Sequence, residues 1–308
     1  MKALIRKFTA PLALSLALLA GPAPAQQTLP APQAVVAVPD PGVARPALWK
    51  VSDEDTTIYL FGTIHLLPKG VEWFDGKLAS AFGEAGELVT EIPEVPQSEQ
   101  QAVVLKRAML PKGQTLRGLL TVKERATYDA TMRKFNLPVT AFDRFKPWYA
   151  AVVLATMPLQ MKGYDLESGV EAQLGEKTKA AGRPRIGLET LDYQLGLFDA
   201  FPRKVQKSYL FEVIKALPDI DKDVGDMVAA WQRGDAGKLA DLMNAEEDDP
   251  AMIQALLTNR NKAWAKWLRA RLARPGTVFV AVGAGHLGGK GSVQDQLAQL
   301  GVASTRVQ

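Results

Sequence analysis

One stretch near the C-terminal end of the chain decides the fold: TVFVAVGAGHL, residues 277–287. A matching stretch, TTIYLFGTIHL at residues 56–66, lies near the other end. Both read Thr, five mostly apolar residues, Gly, two further residues, His and Leu. A short apolar run of this kind is typical of a strand that is buried on both faces. We therefore predict two related buried strands, one from each end of the chain.

Each apolar run ends in a turn that carries a histidine. Gly62 and Gly283 permit a sharp turn at the strand end and are the predicted site-shaping residues. His65 and His286 follow three positions later and are the only two histidines of the chain. Because α/β proteins place their sites at the rim of the sheet, both imidazoles are expected to meet there. The ordinary alternative for either histidine alone is a satisfied core or surface residue.

The remaining pattern indicates one α/β domain over residues 47–308. Apolar and aromatic residues on both sides of an acidic turn predict a hairpin of 48–51 with 57–61. A buried strand is predicted at 87–92, where Pro93 stops it. The fold class is α/β: a single domain with a central mixed sheet formed by two pseudo-related halves and a large helical insertion. A further short strand is predicted at 185–188, and helices at 74–85, 97–109, 121–135, 147–160, 166–181, 202–217, 222–233, 236–243, 250–273 and 292–300.

The N-terminal segment has the features of a secretory signal. A basic start precedes an apolar run at 12–19, and Ala23-Pro24-Ala25 supplies the small residues that a signal peptidase reads. Residues 1–25 are therefore predicted to be a signal peptide, and the proline-rich residues 26–46 a flexible leader. The expected location is the periplasm or the cell exterior, with no stable membrane anchor after cleavage.

Charge and cysteine content exclude several classes of function. The chain carries a net charge of +4, and three of those positive charges lie in the signal segment, so the mature chain carries +1. That charge gives no reason to expect a nucleic-acid partner. The chain has no cysteine, which rules out disulfides, thiol catalysis and cysteine-based zinc sites.

Five polar residues are further candidates for the site. Glu91 is predicted near the end of a buried strand, where a carboxylate is costly without a partner. Arg260 could clamp a carboxylate or an oxyanion, and Asn261 could hydrogen-bond to the same groups. Glu171 and Glu189 are reserve candidates. Their ordinary alternatives are a solvent-facing strand-end charge for Glu91, an exposed helix arginine for Arg260, and helix-surface or helix-cap acids for the two reserves.

Several short segments resemble one known family when they are taken together. They are LWKV at 48–51, GTIH at 62–65, the strand ending in Glu91, KPW at 146–148, GYD at 163–165, GVE at 169–171, LET at 188–190, RN at 260–261 with Trp264, and GAGHL at 283–287. Over about residues 48–300 the chain resembles the TraB/GumN family, whose animal relatives are the Tiki proteases.

The resemblance implies both a fold and an activity. The fold would be a paired-half α/β fold similar to the erythromycin-esterase and haem-binding ChaN group. Both G-x-x-H histidines and the strand-end glutamate would belong to the active site. Tiki proteins are metal-dependent proteases that prefer manganese or cobalt. One departure is Asn259, at a position where many relatives are expected to carry an acid, which would alter the site if that acid contributes to it.

The expected function is metal-dependent hydrolysis of a peptide bond, or of a bond in a small-molecule substrate. His65 and His286 would ligate a divalent Mn, Co or Zn ion. Glu91 would complete the ligand set or act as general base on the metal-bound water. Arg260 and Asn261 would bind the substrate carboxylate or the developing oxyanion.

Two alternatives stay open. The same two histidines could hold haem or a metal ion without turnover. His65 and Glu91 could instead be the general acid and base of a metal-independent ester or glycan hydrolase. The sequence predicts neither the identity of the substrate nor the oligomeric state.

Overall fold

The computed structural model describes residues 44–165, 167–243 and 249–308. The predicted signal peptide lies outside the described residues, as does the predicted leader up to residue 43. Ala44 is buried, and its backbone N–H donates to the carbonyl oxygen of Glu72. The end of the predicted leader therefore already packs against the domain.

Most of the strands form one six-stranded sheet at the centre of the domain. In chain order the strands are β1 (Leu48–Ser52), β2 (Thr56–Thr63), β3 (Leu67–Pro68), β4 (Glu87–Thr90), β5 (Tyr164–Asp165), β6 (Arg185–Gly187), β7 (Gly276–Gly283) and β8 (Thr305–Arg306). The order across the large sheet is β6-β4-β7-β2-β1-β8, and β3 pairs separately with β5. Within the large sheet, β6, β4, β7 and β2 run parallel to one another. Strand β1 is antiparallel to both of its neighbours, β2 and β8. The predicted α/β class with a mixed central sheet is confirmed.

Helices surround the sheet, and most of them lie in the long segment between β4 and β7. They are α1 (Gly76–Glu84), α2 (Gln97–Ala108), α3 (Val122–Lys134), α4 (Pro147–Met161), α5 (Val170–Ala180), α6 (Leu191–Asp199), α7 (Arg203–Ala216), α8 (Ile220–Gln232), α9 (Ala236–Met243), α10 (Pro250–Ile253), α11 (Asn259–Arg271) and α12 (Val293–Gln299). Most bounds lie close to the predicted ones.

Three helical predictions differ from the structure. The helix predicted from residue 166 begins at Val170, since the Asp165 carboxylate accepts a hydrogen bond from the N–H of Glu167 and forms a turn there. Helix α6 is absent from the predictions. The single helix predicted over 250–273 contains a π-helical segment at Gln254–Thr258, between α10 and α11.

The two matching strands pair directly, but one residue out of step. β2 and β7 are parallel over their full lengths, with Gly62 opposite Val282 and Thr63 opposite Gly283. If the two motifs were paired position by position, Gly62 would instead lie opposite Gly283. Since successive residues of a strand point to opposite faces, equivalent motif positions on β2 and β7 face opposite sides of the sheet. The two G-x-x-H turns therefore enter different surroundings.

Both faces of the sheet are buried, which explains the near-continuous apolar runs. One face carries Phe61, Leu88 and Phe279 and packs into the larger core with α1 and most of the insertion helices. The other face carries Leu60 and Val280 and packs against α11 and α12. The sheet is thus the middle layer between two helical layers. No helix in the described ranges has both the length and the apolar character needed to cross a membrane.

Close contact at Gly62 predicts that a larger residue there destabilises the domain. A Cβ added to Gly62 would lie 3.0 Å from the Cα of Ala284 and 3.1 Å from its Cβ. We expect Gly62→Ala to lower the free energy of unfolding by about 1–3 kcal/mol, measured by urea unfolding. The matched control is Gly83→Ala in α1, where an added Cβ meets nothing within 4 Å. Equal unfolding free energies for the two variants would contradict this packing.

Candidate active site

The carboxyl ends of the parallel strands gather most of the predicted site residues at one edge of the sheet. Glu91 follows β4 directly, Glu189 lies just beyond β6, and His286 lies in a short 3-10 turn after β7. Arg260 and Asn261 reach the same edge from the first turn of α11. The topology thus brings together residues from four separate parts of the chain.

Arg260 is the centre of a buried polar network, and its side chain is only 2% exposed. Its Nε donates to both Glu189 oxygens, at 3.0 and 3.1 Å. Its Nη2 donates to Oε2 of Glu91 at 2.6 Å and to Oε2 of Glu189 at 2.8 Å. Its Nη1 lies 3.2 Å from the Leu256 carbonyl oxygen and 3.2 Å from Nε2 of His286. Every nitrogen of the guanidinium is engaged, so Arg260 has no free donor for the predicted oxyanion role.

His286 is held as a neutral imidazole. Asn261 donates from Nδ2 to the carbonyl oxygen of Gly291 at 2.8 Å, which turns its Oδ1 toward the ring. Nδ1 of His286 lies 2.6 Å from that Oδ1, so Nδ1 carries the proton and Nε2 accepts from Arg260. Burial and the positive charge of Arg260 lower the pKa of His286 to about 3.

Glu91 is held as a carboxylate, and both of its oxygens already accept hydrogen bonds. Oε1 accepts from the backbone N–H of Gly283 at 2.7 Å. Oε2 accepts from Arg260 at 2.6 Å and from Nε2 of Gln194 at 2.9 Å. Burial alone would raise its pKa, but Arg260, with smaller contributions from the two histidines and the Gly283 N–H, lowers it to about 2. Such a carboxylate is a weak general base near neutral pH.

His65 differs from His286 in both partner and charge. Its Nδ1 lies 2.9 Å from Oε1 of Glu171 and forms an ion pair with it when the ring is protonated, although the contact does not count as a hydrogen bond. The Thr63 hydroxyl donates to the same glutamate oxygen. Burial lowers the pKa of His65, but the negative charge of Glu171 and of Glu91 outweighs burial, so the net shift is upward. The pKa values of the two histidines are therefore shifted in opposite directions, upward for His65 and downward for His286.

A small cavity lies beside His65. Its lining includes His65, Thr90, Glu91, Glu171, Arg185 and Gln194. The cavity measures about 10 Å³, room for about one water molecule. In the described part of the chain, Nε2 of His65 and Oε2 of Glu171 are buried and have no hydrogen-bond partner. The polar atoms of the cavity that remain available to a bound molecule therefore belong to His65 and Glu171.

The predicted residues therefore fall into two groups. Glu91, Arg260, Asn261, His286 and the reserve residue Glu189 form the saturated network. His65 and the other reserve residue, Glu171, line the cavity, where Glu91 joins the two groups. Asn259 is exposed and accepts a hydrogen bond from Gln254 at 2.5 Å, so it lies outside both groups.

Sequence reasoning missed Gln194, Thr63 and Arg185. Gln194 lies on α6, the helix that was not predicted, and it donates to both Glu91 and Glu189. Thr63 gave a usable signal, because it lies within the G-x-x-H motif. Arg185 opens the predicted strand at 185–188 and gave no signal of its own.

The predicted metal ligands do not fit a metal with these side-chain positions. Nε2 of His286 and both oxygens of Glu91 are already bonded to protein donors. Only His65 of the predicted trio keeps a free nitrogen. Across the described ranges, no three His, Asp or Glu side chains are grouped as a metal site. Metal dependence therefore does not follow from this geometry.

Loss of the Arg260 charge should destabilise the protein strongly. Arg260→Met would leave the carboxylates of Glu91 and Glu189 buried without a cation. We expect the free energy of unfolding at pH 7 to fall by about 3–5 kcal/mol in urea unfolding. The control is Arg269→Met, the same change at an exposed position of α11, with an expected effect within about 0.5 kcal/mol. Similar losses in both variants would contradict the central role of Arg260.

Comparison with known proteins places the chain in a family without naming an activity. An uncharacterized protein of Treponema pallidum (strain Nichols) is 23% identical over 269 residues, which covers 80% of this chain and 78% of that protein. The uncharacterized protein YbaP of Escherichia coli (strain K12), like YbaP of Shigella flexneri, is 24% identical over 239 residues, covering 78% of this chain and 87% of that protein. No solved structure matches the chain significantly.

The sequence profile of the TraB/PrgY/gumN family matches residues 47–306. That match covers the whole of the sheet and both G-x-x-H turns, and it confirms the resemblance found in the sequence. The chain belongs to the TraB/PrgY/gumN family.

Proposed function

We propose that this protein is a hydrolase that cleaves peptide or related acyl bonds at the cavity beside His65. One observation carries the proposal. A buried imidazole and a buried carboxylate, His65 and Glu171, lie 2.9 Å apart and border a cavity with room for about one water. Nε2 of His65 and Oε2 of Glu171 have no hydrogen-bond partner among the described residues. A buried polar atom without a protein partner needs an explanation, and a bound water or a catalytic role can supply one.

The pair can perform both proton transfers of amide hydrolysis. Glu171 accepts a proton from a water as the water oxygen bonds to the substrate carbonyl carbon. His65, in its imidazolium form, then donates a proton to the leaving nitrogen as the carbon–nitrogen bond breaks. The proton on Glu171 passes back to the imidazole, which restores the starting state. The raised pKa of His65, caused by the charges of Glu171 and Glu91 acting against burial, supports its role as the acid.

Glu171 takes the part that the sequence assigned to Glu91. With its pKa lowered to about 2 by Arg260 against the effect of burial, Glu91 holds a proton poorly. In the proposal Glu91 instead holds the cavity wall in place, because its carboxylate accepts hydrogen bonds from Gly283 of β7 and from Arg260 of α11. Arg260, Asn261 and His286 then act as positioning residues behind that wall.

The metal-dependent form of this activity requires a rearrangement. For His65, His286 and Glu91 to ligate Mn, Co or Zn, the side chains of His286 and Glu91 must leave Arg260. We propose the acid–base route, in which the hydrogen bonds of Arg260 stay intact. The cavity holds the attacking water and must widen to admit the substrate carbonyl. Activity that strictly requires an added metal would favour the rearranged route. From the signal in residues 1–25 we also propose that the protein works in the periplasm or outside the cell.

The test is hydrolysis of a quenched fluorescent peptide library by the purified protein. Reactions contain a chelator alone, or added Mn²⁺, Co²⁺ or Zn²⁺. We expect His65→Gln and Glu171→Gln each to lower the rate by about 100-fold or more, the usual contribution of general acid–base catalysis. Lys179→Gln is the control, an exposed change on the same helix as Glu171, and should keep the full rate. Circular dichroism shows whether each variant is folded.

Two results would overturn the proposal. One is the absence of hydrolysis by the folded protein with and without every metal. The other is equal activity of the wild type and the two cavity variants. A haem absorption band without hydrolysis would favour the carrier alternative.

A further inference from the structure

Arg185 forms the most exposed side of the cavity lining, which we call the mouth. The other side chains lining the cavity are buried, whereas Arg185 is partly exposed. It lies at the start of β6, the outermost parallel strand of the sheet. A molecule that approaches His65 from solvent at this mouth meets the Arg185 guanidinium.

The guanidinium of Arg185 uses only part of its hydrogen-bonding capacity within the described part of the chain. Its Nε donates to the Thr90 hydroxyl at 3.2 Å. Glu171 and Glu94 act on it through their charges only, and neither forms an ion pair with it in the described part of the chain. This contrasts with Arg260, whose nitrogens are all engaged by carboxylates, a carbonyl and an imidazole.

The burial of Arg185 is not fully offset by the protein. Desolvation lowers its pKa, and the charges of Glu171 and Glu94 only partly oppose that shift. An arginine stays protonated in spite of such a shift. An anion at the mouth would supply the missing partner, because a guanidinium binds a planar carboxylate through two parallel hydrogen bonds.

The geometry points to Arg185 as a specificity residue that binds a carboxylate group of the substrate. This inference rests on the proposed hydrolase function and names the class of substrate. A singly charged carboxylate fits better than a phosphate, since Glu171 and Glu94 already place negative charge nearby. The carboxylate could come from the C-terminus of a peptide or from an acidic side chain, and the test separates these sources.

Gly175 of α5 offers a second way to test the same side chain. A Cβ added to Gly175 would lie 2.6 Å from Nη1 of Arg185 and 3.6 Å from its Cζ. Because the end of an arginine side chain is flexible, Gly175→Ala should displace the guanidinium while the charge remains. The change also replaces a helical glycine by the better helix former alanine, so the fold is not put at risk.

The experiment measures binding separately from cleavage. Calorimetric titration compares three blocked peptides: N-acetyl-trialanine as the free acid, the same peptide as its C-terminal amide, and N-acetyl-Ala-Asp-Ala amide. We expect at least one carboxylate peptide to bind about 10-fold or more tightly than the neutral amide, as for a hydrogen-bonded charge. Preference for the first identifies a terminal carboxylate, and preference for the third an acidic side chain.

Variants assign the preference to Arg185. Arg185→Gln should abolish it, Gly175→Ala should weaken it, and Arg185→Lys should keep part of it. Lys179→Gln, which removes an exposed charge on the neighbouring helix, should leave it unchanged. In cleavage assays of matched acid and amide peptides, Arg185→Gln should raise KM for the acid form by about 10-fold or more relative to KM for the amide form.

The outcomes separate the two proposals. Equal binding of acids and amide by the wild type, or a preference that survives in Arg185→Gln, would overturn the role of Arg185. A KM that rises equally for acid and amide peptides in Arg185→Gln would also overturn it, since the side chain would then not recognise the carboxylate. Selective binding without any cleavage would keep the carboxylate site and remove the hydrolase proposal.

Discussion

The buried guanidinium of Arg260 is the interaction on which the candidate site depends. It joins Glu91 after β4, Glu189 after β6 and His286 after β7. Taking such charges out of water costs several kcal/mol per ion, and only a saturated set of hydrogen bonds offsets that cost. The site satisfies this condition, because each nitrogen of Arg260 and each oxygen of Glu91 has a partner. The network therefore fixes the geometry of the strand ends with little freedom to rearrange.

The two similar sequence motifs have different roles in this site, because their strands are paired out of step. The strands β2 and β7 pair one residue out of step, so their G-x-x-H turns do not become symmetric copies. His286 enters the Arg260 network, where a cation and burial keep it neutral. His65 lies beside Glu171 and Glu91, where negative charge favours the protonated ring. A fold with two histidines in matched motifs thus separates a structural imidazole from one suited to proton transfer.

The sequence predicts the frame of the molecule well, because burial and strand ends are local properties. The apolar runs before Gly62 and Gly283 reveal the central parallel pair, and a carboxylate at the end of a buried strand marks Glu91 as a residue that needs a partner. The pairing of Arg260 with Glu189 depends on which helix lies over which strand, and no local pattern contains that information. The same limit hid the strand register, which decides how the two histidines differ. Helix α6 was not predicted, and Gln194 was missed with it.

The protonation states of the two histidines test this account most directly. Long-range proton–nitrogen NMR of the imidazoles, titrated from about pH 4 to pH 8, reports on each ring, and a His65→Gln variant assigns the two signals. The account predicts that His65 titrates above its ordinary pKa of about 6.5. It predicts that His286 stays neutral throughout, with the proton on Nδ1. Two imidazoles that titrate together near pH 6.5 would contradict it.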